Sequence, residues 1–169
     1  MKYLLVICLA GCGVTDFDIE QPIIEQRVQG SPLPGPLAVL FPLPLDINIS
    51  QKIKEMETGP IDRVTLSSLT LSITATAMTP SGDIDTWEFV DDIHVFVESN
   101  KSGTTLPKVE IANVHAPGAV TTLTFTVKKS VNLQPYVEEG SVVSGESSGR
   151  LPEDDVTYDG EGVFTVHPL

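Results

Sequence analysis

The residues of this chain with the spacing of a serine nucleophile are found between positions 145 and 149. Gly145-Glu146-Ser147-Ser148-Gly149 matches the pattern G-x-S-x-G. In hydrolases that use this pattern, the serine lies on a sharp turn between a strand and a helix, and a histidine and an acid complete the site. Here Pro152 follows, and no long helical pattern does. The segment therefore favours a serine-glycine turn, and we expect no catalytic residue in it.

The histidines offer no metal or catalytic grouping of their own. His94, His115 and His167 are far apart, and none forms an i, i+4 pair on a helix. A zinc site or a catalytic triad needs several such side chains brought together. His94 alternates with the apolar residues Ile93 and Val95, so we expect it to point outward or towards a polar partner.

Carboxylates form two clusters that could contribute oxygen ligands to calcium. The clusters are Asp83, Asp85, Glu88, Asp91 and Asp92, and Glu153, Asp154, Asp155, Asp159 and Glu161. Calcium takes six to eight oxygens from short acidic loops, which the end of a sandwich can supply. Neither cluster has the D-x-[DN]-x-[DN]-G spacing of an EF-hand. Asp83, Asp85, Asp91 and Asp92 are thus the candidate ligands, but neither a metal nor a cofactor is predicted.

The N-terminal residues have the pattern of an export signal. Lys2 supplies a positive charge, and Leu4 to Leu9 is an unbroken apolar run. A transmembrane helix needs about 20 apolar residues, whereas the apolar region of a signal peptide needs roughly 7 to 15. The run therefore predicts a signal peptide and not a membrane span.

The tetrapeptide Leu9-Ala10-Gly11-Cys12 resembles the lipobox of bacterial lipoproteins. The resemblance implies that signal peptidase II recognises Leu9, Ala10 and Gly11 and removes residues 1–11. Cys12 would then become the N-terminus and carry palmitate or similar acyl chains. Gly13 at the next position favours sorting to the outer membrane, where the protein would face the periplasm or the cell surface.

The charge of the chain limits its partners. It has 10 basic and 23 acidic residues, and removal of Lys2 with the signal leaves 9 against 23. Such a surface repels nucleic-acid phosphates and anionic lipid headgroups. We therefore expect no nucleic acid, and we expect membrane attachment through lipid on Cys12, with an envelope protein as a further possible partner. Since Cys8 would be lost with the signal, no free thiol would remain.

Residues 12–36 have the composition of a tether that follows the lipidated cysteine. They are polar and contain four prolines: Pro22, Pro32, Pro34 and Pro36. Proline-rich linkers are extended and semi-rigid. An alternative stays open, in which Ile19, Ile23, Ile24 and Val28 dock part of this segment on the domain as a strand or an amphipathic turn.

Residues 37–169 are predicted to form the folded domain, because alternation with a period of two dominates there. The predicted strands cover Leu37–Ile49, Val64–Ala77, Ile93–Glu98, Val109–Val114, Val120–Val127, Val142–Val143 and Gly162–His167. Short helices are expected at Gln51–Glu57, after Ser50, and between Asn132 and Gly140. The prediction is an all-β, antiparallel β-sandwich, Ig-like or related, of about seven to eight strands with one or two short helices.

The apolar phase changes inside the second predicted strand. Val64 and Leu66 are apolar at even positions, and Leu69 and Leu71 at odd ones. Because a shift of one residue moves every side chain to the other face, the intervening Ser67-Ser68 predicts a β-bulge.

The sequence thus predicts a membrane-anchored cell-envelope lipoprotein with a structural or binding role and no enzymatic activity. Two alternatives remain. One is an accessory subunit of an envelope secretion, transport or pilus assembly, and the other is a sandwich that binds calcium or a small ligand through its acidic loops.

Overall fold

The computed structural model describes residues 15–31, 33–37, 40–41, 52–53, 55, 59–75 and 85–169. The strands are β1 (Phe17–Val28), β2 (Leu40–Phe41), β3 (Ile61–Thr74), β4 (Val90–Ser99), β5 (Val109–His115), β6 (Thr122–Thr124), β7 (Thr126–Val127), β8 (Ser141–Gly149) and β9 (Val156–Pro168). A 3-10 turn covers Trp87–Phe89, and the helix α1 covers Gln134–Glu139.

The strands form two antiparallel sheets with the order of a jelly roll. One sheet runs β1-β9-β3-β6, and the other runs β2-β8-β4-β5-β7. Most neighbours in a sheet are distant in sequence, and most connections between consecutive strands cross from one sheet to the other, as in the paired Greek keys of a jelly roll. The predicted all-β antiparallel sandwich is confirmed.

The space between the sheets is filled by aliphatic and aromatic side chains. Trp87, Tyr158 and Phe164 are fully buried, and the Trp87 ring meets the Tyr158 ring edge-on at 5.4 Å between centroids. Trp87 donates its indole N–H to the carbonyl of Thr121 over 3.2 Å. Among the described residues, the fully buried polar atoms of the interior include the Tyr158 hydroxyl and the Trp87 indole N–H, and Thr65 is buried as well.

The predicted bulge in β3 is confirmed. The register between β3 and β9 shifts between Leu66 and Ser68, while Val64, Leu66, Leu69 and Leu71 are all buried. The extra residue allows both apolar phases to face the same core. Ser67 hydrogen-bonds Thr165 of β9 through their hydroxyls.

The segment predicted as a tether is, from Phe17 to Val28, a strand of the domain. β1 pairs with β9, and Ile19, Ile23 and Val28 are buried. Burying each such side chain is worth about 1.5–3 kcal/mol, which favours docking over a solvated linker. Pro22 is tolerated because β1 lies at a sheet edge. Of the two alternatives, the docked strand is the one observed.

The rest of the predicted tether is also fixed to the domain. The amide of Ser31 donates to the carbonyl of Pro152, and that of Leu37 donates to Gly149. Asp155 accepts a hydrogen bond from the amide of Gly30 at 2.8 Å and pairs with Arg27. Gly30, Ser31, Gly35 and Leu37 therefore lie beside the segment between β8 and β9.

Two strands are longer in the structure than predicted, and one predicted strand is divided into two. β8 and β9 extend well beyond Val142–Val143 and Gly162–His167. The predicted strand Val120–Val127 is split into β6 and β7, which belong to different sheets. Phe125, buried between them, donates its amide to the carbonyl of Leu69, so the chain crosses from one sheet to the other at this residue.

The short helix before Gly140 is confirmed. Asn132 accepts hydrogen bonds from the amides of Gln134 at 3.0 Å and Val64 at 3.2 Å, and Gly140 ends α1 with a φ of 92°. Within the predicted helix Gln51–Glu57, the described residues Lys52, Ile53 and Glu55 are helical. Of the predicted strand Leu37–Ile49, the structure describes positions 37, 40 and 41. The other positions of that strand, and Ser50, lie outside the described residues.

We predict that Gly160→Ala destabilises the domain by roughly 1–3 kcal/mol, the usual cost of overpacking. Gly160 lies in β9 opposite Ile23 of β1 and Leu71 of β3. A Cβ there would lie 2.5 Å from the carbonyl oxygen of Thr70 and 2.5 Å from a Leu71 methyl. Urea denaturation measures the free energy of unfolding. Gly103→Asn is the control, because Gly103 has open space around it and asparagine tolerates positive φ; equal stability of the two variants would contradict the prediction.

Candidate functional site

The largest group of interacting polar side chains described here lies on the outer face of strands β5, β4 and β8. We call it the polar sheet face and define it by these residues: Asp92, His94, Phe96, Glu98, Lys108, Glu110, Asn113, His115, Lys128, Val142, Ser144, Glu146 and Ser148. The alternate residues Ile93, Val95 and Val97 of β4 are fully buried. The alternation of β4 therefore sends its polar side chains to this outer surface.

A bulge in β5 brings Glu110 and Asn113 to the same face. The register between β4 and β5 shifts between Val95 and Phe96, whose partners are Ala112 and Glu110. Ile111 and Ala112 are therefore both buried, although they are adjacent in sequence. Residues on either side of this pair point outward, which a regular strand would not allow.

Glu110 is the centre of one cluster on this face. Its carboxylate accepts hydrogen bonds from Lys128 Nζ at 2.6 Å and from Asn113 Nδ2 at 2.7 Å, and His94 Nδ1 lies 3.2 Å away. Chiefly because of the hydrogen bond from Lys128, with those from Asn113 and His94, the pKa of Glu110 falls to about 2. This carboxylate is therefore ionised near neutral pH and cannot act as a general acid there.

Asp92 is the centre of a second cluster. His115 Nδ1 lies 2.5 Å from Asp92 Oδ1, and the Ser148 hydroxyl donates to Asp92 Oδ2 at 3.3 Å. The hydrogen bond between His115 and Asp92 raises the pKa of His115 and lowers that of Asp92. In the relay of a hydrolase, the serine contacts the histidine and the histidine contacts the aspartate. Here Ser148 and His115 each contact Asp92 directly, so the arrangement is not that relay.

A lysine and an aromatic ring complete the face. Lys108 Nζ donates to Glu146 at 2.6 Å and lies 4.5 Å from the centroid of the Phe96 ring. The hydrogen bond to Glu146 raises the pKa of Lys108. The His94 ring is stacked beside Phe96 at 6.3 Å between centroids. Phe96 is thus half-buried among charged groups.

The G-x-S-x-G segment is part of this sheet. Gly145–Gly149 lies within β8, where Ser147 pairs with the buried residue Ile93 and Ser148 pairs with Asp92. The predicted serine-glycine turn is therefore wrong. The segment lies within a strand and has no strand-to-helix turn around it.

Members of the two carboxylate clusters contact different partners. Glu88 pairs with Arg150 at 2.6 Å, and Asp159 accepts the Glu25 amide at 2.7 Å. Asp85 and Asp91 are also described, whereas Asp83 lies outside the described residues. Within the part of the chain that the structure describes, no three or more His, Cys, Asp or Glu residues are grouped so as to hold a metal.

The histidines are separated in space but share one kind of partner. His94 points outward, as predicted, and faces Glu110. His115 faces Asp92, and His167 Nδ1 lies 2.8 Å from Asp16. Sequence reasoning did not find Glu110, Asn113, Lys108 or Lys128, because their contacts depend on strand register and on the β5 bulge.

We predict that Glu110→Gln lowers stability by about 1 kcal/mol at pH 7, a typical value for charged hydrogen bonds that are partly exposed. Because its pKa in the folded protein lies near 2, below the ordinary value of 4.5, the stabilisation is complete above pH 4.5 and disappears as the pH falls through 2. Urea denaturation at pH 7 and pH 3 tests this. Glu138→Gln, on an exposed position of α1, is the control; a Glu110 variant as stable as wild type at pH 7 would contradict the prediction.

The pair formed by Asp92 and His115 should be visible in an NMR pH titration. Asp92→Asn is expected to move the pKa of His115 back towards 6.5, whereas Asp18→Asn, on the other sheet, should leave it unchanged. The raised pKa means that the stabilisation by His115 is present below pH 6.5 and is lost as the pH rises through the folded value. Identical His115 titrations in wild type and Asp92→Asn would show that the contact is not formed.

The tetrapeptide that predicts membrane anchoring belongs to the N-terminal residues. Leu9, Ala10, Gly11 and Cys12 lie outside the described residues, so lipidation and the outer-membrane location stay predictions. Among the residues that are described, no helix is long and apolar enough to cross a membrane.

This chain is similar to known proteins in structure and not in sequence. No protein-family model and no curated protein matches the chain. Structures of Desmodium yellow mottle tymovirus and turnip yellow mosaic virus are 12% and 16% identical to it, with TM-scores of 0.30 and 0.28; each match covers 100% of this chain and 90% of the viral chain. A mud crab tombus-like virus structure is 11% identical, with a TM-score of 0.30, over 92% of this chain and 89% of the viral one.

These findings correct the lipoprotein interpretation. Residues 17–28 form a strand of the domain and not a tether, and the structures reported above as similar are those of viruses, with no lipoprotein among them. The predicted envelope role and its two alternatives, an accessory subunit and a calcium or ligand binder, are therefore withdrawn. The strand order itself shows a jelly-roll-like sandwich.

Proposed function

We propose that this chain is a non-catalytic structural protein that acts by associating with further copies of itself, as shell-forming jelly rolls do. The observation that carries the proposal is the strand order β1-β9-β3-β6 against β2-β8-β4-β5-β7. Jelly rolls of two Greek keys occur in viral capsids, lectins and cupins. Since fold alone does not fix function, the choice among these rests on the side chains.

The described side chains favour an assembly role over catalysis. The described interior is filled chiefly by aliphatic and aromatic side chains, and no three His, Cys, Asp or Glu residues of the described ranges are grouped to hold a metal. On the polar sheet face, Glu110 is ionised and holds three partners. The Ser148 hydroxyl donates to the Asp92 carboxylate at 3.3 Å and not to a histidine. Such paired groups stabilise a surface but do not supply a nucleophile with its base.

The charges favour protein partners over nucleic acid. The chain carries a net charge of −13. Five of its cations, Arg27, Lys101, Lys108, Lys128 and Arg150, pair with carboxylates of the same chain. Phosphate binding requires cations that can replace counterions on the nucleic acid. We therefore propose an assembly held by protein surfaces.

The proposal predicts association that increases with protein concentration and with salt. A net charge of −13 makes copies repel each other, and salt shortens the screening length from about 30 Å at 0.01 M to about 3 Å at 1 M. Light scattering after gel filtration, at 20 and 500 mM salt, should give masses above the 18.2 kDa of one chain at the higher salt. Negative-stain microscopy would then show whether the particles are closed.

A single-stranded RNA oligonucleotide is the control partner, and it should leave the sedimentation of the protein unchanged at 150 mM salt. A mass of 18.2 kDa at every protein concentration and salt concentration would contradict the proposal. Saturable RNA binding at 150 mM salt would contradict its exclusion of nucleic acid.

A further inference from the structure

We infer that the exposed edge of strand β6 pairs with the same edge of a second copy of this chain. The arrangement is two-fold and antiparallel, and it joins the two four-stranded sheets into one continuous sheet. The inference rests on the proposed function and names one contact through which copies associate. In a two-fold contact the same surface serves both copies and must complement itself.

The backbone of β6 directs hydrogen-bonding groups away from its own sheet at two threonines. The Ile73 amide donates to the carbonyl of Thr121, and the Phe125 amide donates to a carbonyl of β3. In an antiparallel pair every second residue of a strand faces its neighbour, so the odd-numbered residues of this segment face β3. Thr122 and Thr124 therefore direct their N–H and C=O groups to the outer side of β6, where the described sheet ends. Both threonines are exposed.

These outward groups complement themselves about a two-fold axis that passes beside Leu123. Thr122 of one copy then lies opposite Thr124 of the second copy, and the two residues exchange both of their N–H···O=C bonds, as in the hydrogen-bonded pairs of an antiparallel ladder. The symmetry repeats this exchange on the other side of the axis, so every outward group of both threonines is bonded. The Leu123 side chain stays in the core, where it is buried.

The segment around β6 lacks the features that keep sheet edges from pairing. Ala119–Val127 contains no charged residue, no proline and no glycine, and six of its nine residues are β-branched. Natural sheet edges are protected by charges, proline or bulges, whereas β-branched residues favour strands. The β6 edge therefore remains able to pair with another strand.

The other described sheet edges are protected or shorter. In β1, Pro22 has no N–H, and the register shifts between Ile23 and Gln26. The Lys52 ammonium donates to the carbonyl of Glu20 in the same strand. Strands β2 and β7 have two residues each, so alternation leaves each of them at most one residue with outward groups. Among the described strands, β6 is thus the edge best suited to pairing.

The charges of this sheet lie far from the proposed contact. β6 pairs with the uncharged residues Thr70, Leu71 and Ser72 of β3, and the nearest carboxylates along the sheet are Asp159 and Glu161 of β9. Strands in a sheet are about 4.8 Å apart, so the β9 strands of the two copies would be five spacings, on the order of 24 Å, apart. Because the screening length is about 8 Å at 0.15 M salt, salt removes most of the repulsion across this edge.

Sedimentation equilibrium of the full chain at 500 mM salt tests the inference. A contact between short strands belongs to the weak, transient class, so protein concentrations from about 20 to 500 μM are needed. Thr124→Lys puts a charge on the edge, which opposes strand pairing, and should weaken the dimer at least about tenfold. The same substitution makes the chain less negative, so general charge repulsion alone would predict stronger association.

Ser102→Lys is the matched control. Ser102 is exposed in the turn after β4, on the other sheet. This variant changes the net charge by the same amount and should change the dimer constant less than about twofold, as surface substitutions outside a contact do.

Thr122→Pro tests the backbone hydrogen bonds themselves. Proline removes the outward N–H at this position and is tolerated on the outer side of an edge strand. Because two of the four bonds across the axis are lost, the dimer should weaken about tenfold. Urea denaturation shows whether the variant is folded.

Amide hydrogen exchange provides a measurement that needs no substitution. The amides of Thr122 and Thr124 should exchange more slowly at the highest protein concentration than at the lowest, since association protects them. The Leu123 amide, which faces β3, should be protected at both concentrations.

Equal effects of Thr124→Lys and Ser102→Lys, or association without added protection of the two threonine amides, would overturn the inference and leave the proposed function standing. A wild-type chain that stays monomeric at every protein and salt concentration would overturn both.

Discussion

The pairing of β9 on both of its edges is the interaction on which the rest of this fold depends. β9 runs for 13 residues between β1 and β3, and its buried side chains include Tyr158 and Phe164, which fill the centre of the sandwich. At Gly160 the three strands approach so closely that a Cβ would meet the Thr70 carbonyl. If β1 were a solvated linker, one edge of β9 would expose its backbone groups, which sheets avoid.

The sequence predicts those parts of the fold whose pattern is local. Val64, Leu66, Leu69 and Leu71 lie within eight residues, so the phase change that marks the β3 bulge can be read directly. The core entry at Trp87 and the glycine that ends α1 are local in the same way. β1 was ambiguous for a physical reason. Its buried residues Ile19, Ile23 and Val28 are spaced by four and five, because the register shifts between Ile23 and Gln26.

The polar sheet face was less predictable, because its contacts are made across strands. The outward position of His94 follows from alternation, but Glu110 is 16 residues away in sequence and Lys128 is 34. Glu110 reaches His94, and Lys128 reaches Glu110, only because β5 pairs with β4 and β7 and contains a bulge at Ile111. The G-x-S-x-G segment shows the converse. A five-residue pattern does not specify the structure around it, and these residues form part of β8.

The N-terminal tetrapeptide misled for a related reason. It consists of four residues and does not depend on how the strands of the domain pair. It could therefore suggest a cellular location but could not predict the fold or role of the domain. The domain's own properties are its jelly-roll order and its charge of −13. On such a chain most surfaces repel their copies. Lys108 and Lys128 both lie beside β4 and β5, so the pairing of these strands places cations among the carboxylates on one face and offsets part of that negative charge there.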